Sequence, residues 1–223
     1  MSEFRLTYPA CVLAGKTRLT QTDVASLRDD IFAGGITSSA DATALLAINA
    51  SVLDICQEWR DYFLEAMKHF VVRYCYPQGA MDALNAEWLT AMISTNGVIR
   101  TQLEFDLLIR VMAESAFVPD RLIVLAIDQI RAAISDDAGA WAERRPRSGP
   151  AVKAEDMALI HQVLRYGEGR RMVPVPVAAA LKRTDALCST QALPPGWTQL
   201  MRGIKVLDGS STKPAEEAQS AAA

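Results

Sequence analysis

Few side chains in this 223-residue chain have both the type and the spacing to do chemistry. Asp30 to Asp41 spans twelve residues with Gly35 sixth, which is the frame of a calcium loop. Such a loop needs oxygens at its first, third, fifth and twelfth positions, and here Phe32 and Gly34 occupy the third and fifth. Two carboxylates do not replace the hydration shell of a divalent ion, so the stretch reads as an inter-helix turn with caps at both ends. Glu65 and His69 lie four apart and share a helix face, with Cys75 near the same helix end. Acid–base or metal chemistry there needs a third group from elsewhere; the plainer account is a histidine hydrogen-bonded beside an acidic neighbour. His161 sits in an amphipathic helical stretch, Leu159 to Arg165, as a phosphotransfer histidine would, but a lone exposed histidine needs no such role.

The four cysteines, Cys11, Cys56, Cys75 and Cys188, form no C-x-x-C pair and, with two histidines, assemble no zinc spacing. A phosphate loop with lysine, a dinucleotide fingerprint, a G-x-S-x-G elbow and H-E-x-x-H are all missing from the sequence. No catalytic residue and no cofactor is therefore expected. What remains is a cationic stretch. Arg144, Arg145, Arg147, Lys153, Arg165, Arg170 and Arg171 outnumber the acids around them, while the chain as a whole carries −3. Arg144, Arg145, Arg147, Arg170 and Arg171, with the apolar Met172 and Val173, are the candidate partner-binding residues; the alternative is a solvated linker.

Half the residues are apolar and 22% are charged, an ordinary globular composition. With 23 Lys and Arg against 26 Asp and Glu, bulk nucleic-acid binding is not expected. No apolar run reaches bilayer length, and the short run from Ala10 to Lys16 is no signal-peptide core, so a cytoplasmic protein is expected.

The elements that must position these residues are helices almost throughout. Thr20 with Asp23 opens one through Val24, Leu27, Ile31 and Phe32, which Gly34-Gly35 stops. Ser38 with Asp41 opens a second, and Trp59, Phe63, Met67, Phe70 and Tyr74 mark a third from Gln57 to Tyr74. After Tyr76-Pro77 the layout recurs: Asp82 caps a fourth, Thr101 with Glu104 a fifth, and Pro119 opens a sixth. Residues 135–150, rich in Asp, Arg, Ser, Gly and Pro, read as a linker. A third set follows, from Glu155, Val177 and Pro194-Pro195. The fold class is thus all-α, with eight or nine helices in tandem antiparallel triplets. The expected divisions are an N-terminal segment 1–18, a bundle of two triplets 19–134, the linker 135–150, a third triplet 151–207 and a disordered tail 208–223.

The triplets look like copies of one unit. Asp23 to Leu27 aligns with Asp156 to Ile160, Asn49-Ala50 with Asp185-Ala186, and Trp59 and Phe63 with Trp197 and Met201. Gly34-Gly35-Ile36 followed by Asp41, and Asn96-Gly97-Val98 followed by Glu104, resemble the turn-plus-acid signature of tellurite-resistance TerB-like helical domains over about residues 19–134. That resemblance implies a TerB-like bundle and metal binding by the acidic pairs. Asp30, Asp41 and Glu104 are then the candidate ligands, but Gly34 and Asn96 stand where the family carries Asp, so no ion is expected. The expected function is a non-enzymatic interaction or regulatory module with a protein partner, acidic where it meets the arginines. The alternative is a metal- or stress-responsive TerB-like protein, and an enzyme of unidentified class ranks third. Homo-oligomerisation stays open.

Overall fold

Most helices among the described residues start at a side chain that satisfies a free N–H group or at a proline. The computed structural model describes residues 15–147, 151–167, 172–188 and 193–204. Among the described residues there are ten α-helices, and strand is confined to a parallel pair of two-residue strands, β1 (Arg18–Leu19) and β2 (Asp54–Ile55). Helix α1 (Gln21–Ser26) begins at a reciprocal capping box: the Asp23 N–H donates to Thr20 Oγ1, and the Asp23 carboxylate accepts from the Thr20 N–H at 3.0 Å. It continues as a π-helical turn, Leu27–Ile31, closed by Phe32 N–H donating to Leu27 O at 2.8 Å. Ser38 and Asp41 make the same box for α2 (Ser39–Ser51). Helix α3 (Gln57–Lys68) also ends in a π-helical turn, His69–Tyr74, with the Cys75 N–H on Phe70 O at 2.9 Å.

Asp82 caps α4 (Ala83–Ile93), and Thr101 with Glu104 boxes α5 (Gln102–Glu114). Proline, which has no N–H to satisfy, precedes α6 (Asp120–Ser135), α9 (Val175–Ala186) and α10 (Pro195–Gly203). Between them lie α7 (Ala140–Arg144) and α8 (Ala154–Arg165).

Helix α6 is the hub. Its buried residues, among them Leu122, Ile123, Leu125, Ala126, Ile127, Ile130 and Ala133, cover most of its circumference. That surface packs against α4, α5, α7, α8 and α9. One core results, running from Leu19 and Trp59 through Phe105 and Ile127 to Leu181 and Trp197. Among the described residues no helix is long and apolar enough to cross a membrane.

A buried polar residue, Gln129, ties the hub to the turn ahead of α5. Its Oε1 accepts from Ile99 N–H at 2.8 Å, and its Nε2 donates to Gly97 O at 2.8 Å and Leu125 O at 2.9 Å. Gly139 lets the next loop approach the same place, because a Cβ there would lie 2.8 Å from Val98 Cγ1 in a backbone at φ +84°. Ala140 N–H then donates to Ile99 O at 2.8 Å.

The stretch expected as a linker, 135–150, is structured where it is described. It holds α7, with Ala140 and Trp141 buried, and then Arg145, whose guanidinium pairs with the fully buried Asp156 of α8. Nε donates to Asp156 Oδ1 at 2.9 Å, Nη2 to Oδ2 at 2.8 Å and Nη1 to Ala133 O at 3.3 Å. Trp141 Nε1 and the Lys153 N–H complete the shell of the carboxylate at 2.7 and 2.9 Å. Helices α8 and α9, from the stretch read as a third triplet, pack on α6. Most of 1–18, the end of that linker and the tail 208–223 lie outside the described residues.

Arg145→Ala leaves a carboxylate buried without its cation. It is expected to cost about 3–5 kcal/mol, a large part of a typical stability of about 5–15 kcal/mol, read as a fall in the urea midpoint; Arg147→Ala, on an exposed residue, serves as the control and is expected to leave the midpoint in place.

Candidate functional site

The two π-helical turns face one another across a cleft between α1 and α3 of about 590 Å³. The first turn supplies Arg28 and Asp29, and the second supplies His69. Phe32 and Ile36, both buried, form apolar wall, while Tyr62, Glu65 and Ala66 come from α3. Tyr62, Glu65 and His69 follow each other at i, i+3 and i+7 and so share a face of that helix beside its buried stripe. A π-helical turn is rare and is frequently found at functional sites.

The polar groups of the cleft divide into committed and free. Arg28 holds Asp29 through Nε to Oδ1 at 2.8 Å and Nη2 to Oδ2 at 3.2 Å. Glu65 is bonded by Lys68 Nζ at 2.6 Å and Arg110 Nη1 at 2.8 Å, and these bonds, that of Lys68 foremost, hold its carboxyl below the usual range. Tyr62 differs. Its Oη is shielded from solvent with no hydrogen-bond partner, and burial pushes its ionisation up to about 12, against the opposing pull of the Arg28 cation and with a smaller push from Asp29. It is therefore a neutral O–H across the physiological range.

The candidate metal ligands do other work. Asp30 accepts from Ser26 Oγ at 2.6 Å, Asp41 accepts from the Ser38 N–H at 3.0 Å, and Glu104 accepts from the Thr101 N–H at 3.2 Å. Glu104 is buried, which pushes its carboxyl upward. Among the described residues no three His, Cys, Asp or Glu side chains gather as an ion would require. The thiols of Cys75 and Cys188 are both pushed up by burial, away from the reactive thiolate.

Of the candidate partner-binding residues, Arg144 donates to Asp106 Oδ1 at 2.6 Å and lies over the Phe105 ring at 5.2 Å, and Arg145 is committed to Asp156. Arg147 is exposed and borders, with Arg100, a depression of about 340 Å³. Met172 and Val173 are half-buried. Arg170 and Arg171 lie outside the described residues. His161 is exposed on α8. Sequence reasoning found Glu65 and His69 but missed Tyr62, Arg28 and Asp29; the i, i+3, i+7 stripe beside the core face was the available signal.

No family model, no curated protein and no solved structure matches this chain.

Because Tyr62 Oη makes no internal hydrogen bond, Tyr62→Phe is expected to leave stability unchanged or raise it by up to about 1 kcal/mol. The raised ionisation adds a second readout. The unfolded phenol ionises near 10 and the folded one near 12, so stability is expected to fall as pH climbs through that window. Tyr62→Phe is expected to lessen the fall and to remove the highest step from the tyrosinate absorbance titration.

Proposed function

We propose that the chain is a non-enzymatic cytoplasmic interaction or regulatory module built from repeated helical triplets, with the α1–α3 cleft as its binding site. The observation that carries the reading is the convergence of both π-helical turns and the unpartnered Tyr62 hydroxyl on one cavity. The volume lies within the range of small-molecule sites, about 300–1,000 Å³.

The repeat sharpens the point. Trp59 Nε1 donates to Asn49 Oδ1 at 3.1 Å, and its counterpart Trp197 Nε1 donates to Asp185 Oδ1 at 2.5 Å. Asp23 and Asp156, also counterparts, each accept from the backbone N–H three residues back. These matched bonds support a common unit for α1–α3 and α8–α10. On that alignment Leu27–Ile31 corresponds to Ile160–Leu164, which stays α-helical within α8. The π-helical turn is then no requirement of the unit, and a role in binding accounts for it.

Catalysis finds no support in the same groups. Glu65 is an ion-paired carboxylate, held by Lys68 and Arg110. The TerB-like metal reading finds none either, since Asp41 and Glu104 cap their own helices.

Amide-shift screening of the full chain against a small-molecule library tests the proposal. Binders are expected to move signals from residues 28–36 and 62–69, and Ala33→Trp, a substitution on the exposed edge of the cleft, is expected to weaken them at least tenfold without changing the melting temperature. Binders that map elsewhere while none maps here would overturn it.

A further inference from the structure

Helix α10 is fastened mainly at one point. Of its described side chains Trp197 alone is fully buried, while Leu200, Met201 and the capping Ile204 follow half-buried on the same face. The indole N–H is held by Asp185 of α9. Gly196, just before it, lies so close to α8 that a Cβ there would meet Met157 Cε at 3.3 Å. Helices α8 and α9 thus form the seat of α10. Apolar anchors at i, i+3, i+4 and i+7 are the pattern of an amphipathic helix laid into a groove.

The sister helix shows what firmer attachment takes. On the alignment of Trp197 with Trp59, Met201 stands where α3 has Phe63, and Arg202 where it has Leu64. Phe63 and Leu64 are buried, and so is Met67 after them. Met201 is only half-buried and Arg202 is exposed. Isolated helices shorter than about 12–15 residues are marginal in water, and α10 has nine. Its order therefore depends on its seat, and withdrawing Trp197 releases the whole helix while the core around α6 stays packed. Such an opening lies below the cost of global unfolding.

We propose that α10 is a releasable clasp and that its seat on α8 and α9 takes the α10 of a second copy, the two copies exchanging helices in a reciprocal dimer. The fit of Trp197 to the seat is displayed within one chain, and every copy carries both halves, so no new surface has to be made. Exchange of an identical element keeps each contact and is a low-cost route to a dimer. Attachment within one chain has the advantage of high local concentration, so exchange rises with the concentration of the chain. The seat shares no residue with the α1–α3 cleft, and neither proposal depends on the other.

Three measurements on the full chain test the clasp. Hydrogen exchange is expected to be at least a hundredfold faster for amides of residues 199–203 than for those of 125–133 in α6; equal rates overturn the release. A synthetic peptide of residues 193–207 is expected to shift amides of 156–160 and 178–188 in the isotope-labelled Trp197→Ala chain. It is expected to bind that chain at least tenfold tighter than the wild type, whose seat is taken, and to lose its binding when the peptide itself carries Trp197→Ala. A peptide that leaves the vacated seat unmoved overturns the site. Light scattering across a range of loading concentrations is expected to show a wild-type dimer fraction that rises with concentration and falls at least fivefold in Trp197→Ala. A dimer untouched by the substitution overturns the second copy as occupant. So does a wild-type chain that stays monomeric throughout, and if the peptide still binds, the seat then belongs to a tryptophan-bearing helix of another protein. The exchange rates and the wild-type scattering decide the matter even if Trp197→Ala fails to fold.

Discussion

A carboxylate with no exposed surface cannot stay ionised inside a protein unless donors surround it, and Asp156 is such a carboxylate. Its desolvation, several kcal/mol in magnitude, is offset by a forked guanidinium from Arg145, the indole N–H of Trp141 and a backbone N–H at the start of α8. These donors come from α7, the residue after it and the first turn of α8, while the guanidinium also reaches Ala133 O near the end of α6. Satisfying one charge therefore sets three helix ends at once. With α7 and α8 so placed, the apolar face of α8 and then α9 closes over α6, and the hub is buried nearly all round. Gln129 repeats the logic one helical turn earlier on α6, where one side chain accepts from Ile99 and holds Gly97 against the helix.

Local features were legible in the sequence because local rules govern them. The boxes at Thr20 and Asp23, Ser38 and Asp41, and Thr101 and Glu104 all form as their three-residue spacing requires. Proline marks the starts of α6, α9 and α10 for an equally local reason. The misread segment was governed by something else. Arg145 and Asp156 are eleven residues apart, and no helix or turn periodicity pairs them. Counting Arg144, Arg145 and Arg147 as solvated charge ignores what lies opposite in space, where Asp106 and Asp156 take the first two. Trp141 was the contrary sign, since a lone aromatic in a polar stretch needs somewhere to be buried.

The cleft was legible only in part. Glu65 and His69 stood out by type and spacing, but Tyr62 lies just off the apolar stripe and carries no motif that marks it. Nothing in a sequence announces a π-helical turn, because it depends on where the next buried side chain must go. Phe32 N–H reaches Leu27 O across five residues, and with that extra residue Phe32 and Ile36 both turn inward toward α3. The residues held in the widened turn, Arg28 and Asp29, are thereby set at the cleft edge.

The comparison of α1 with α8 separates architecture from use. Both open on a carboxylate that accepts from the backbone three residues earlier, and two helices after each of them a tryptophan N–H is held by an Asn or Asp of the preceding helix. Identical constraints at the start and at the far end should yield identical helices between them, unless some other term differs. In α8 the outcome is a regular helix whose interior carries Ile160 and Val163 into the core. In α1 the regular ladder is broken, an ion pair is left on the surface, and across the cleft a phenol is left buried with no partner. Arg28, Asp29 and Tyr62 all line the one cleft.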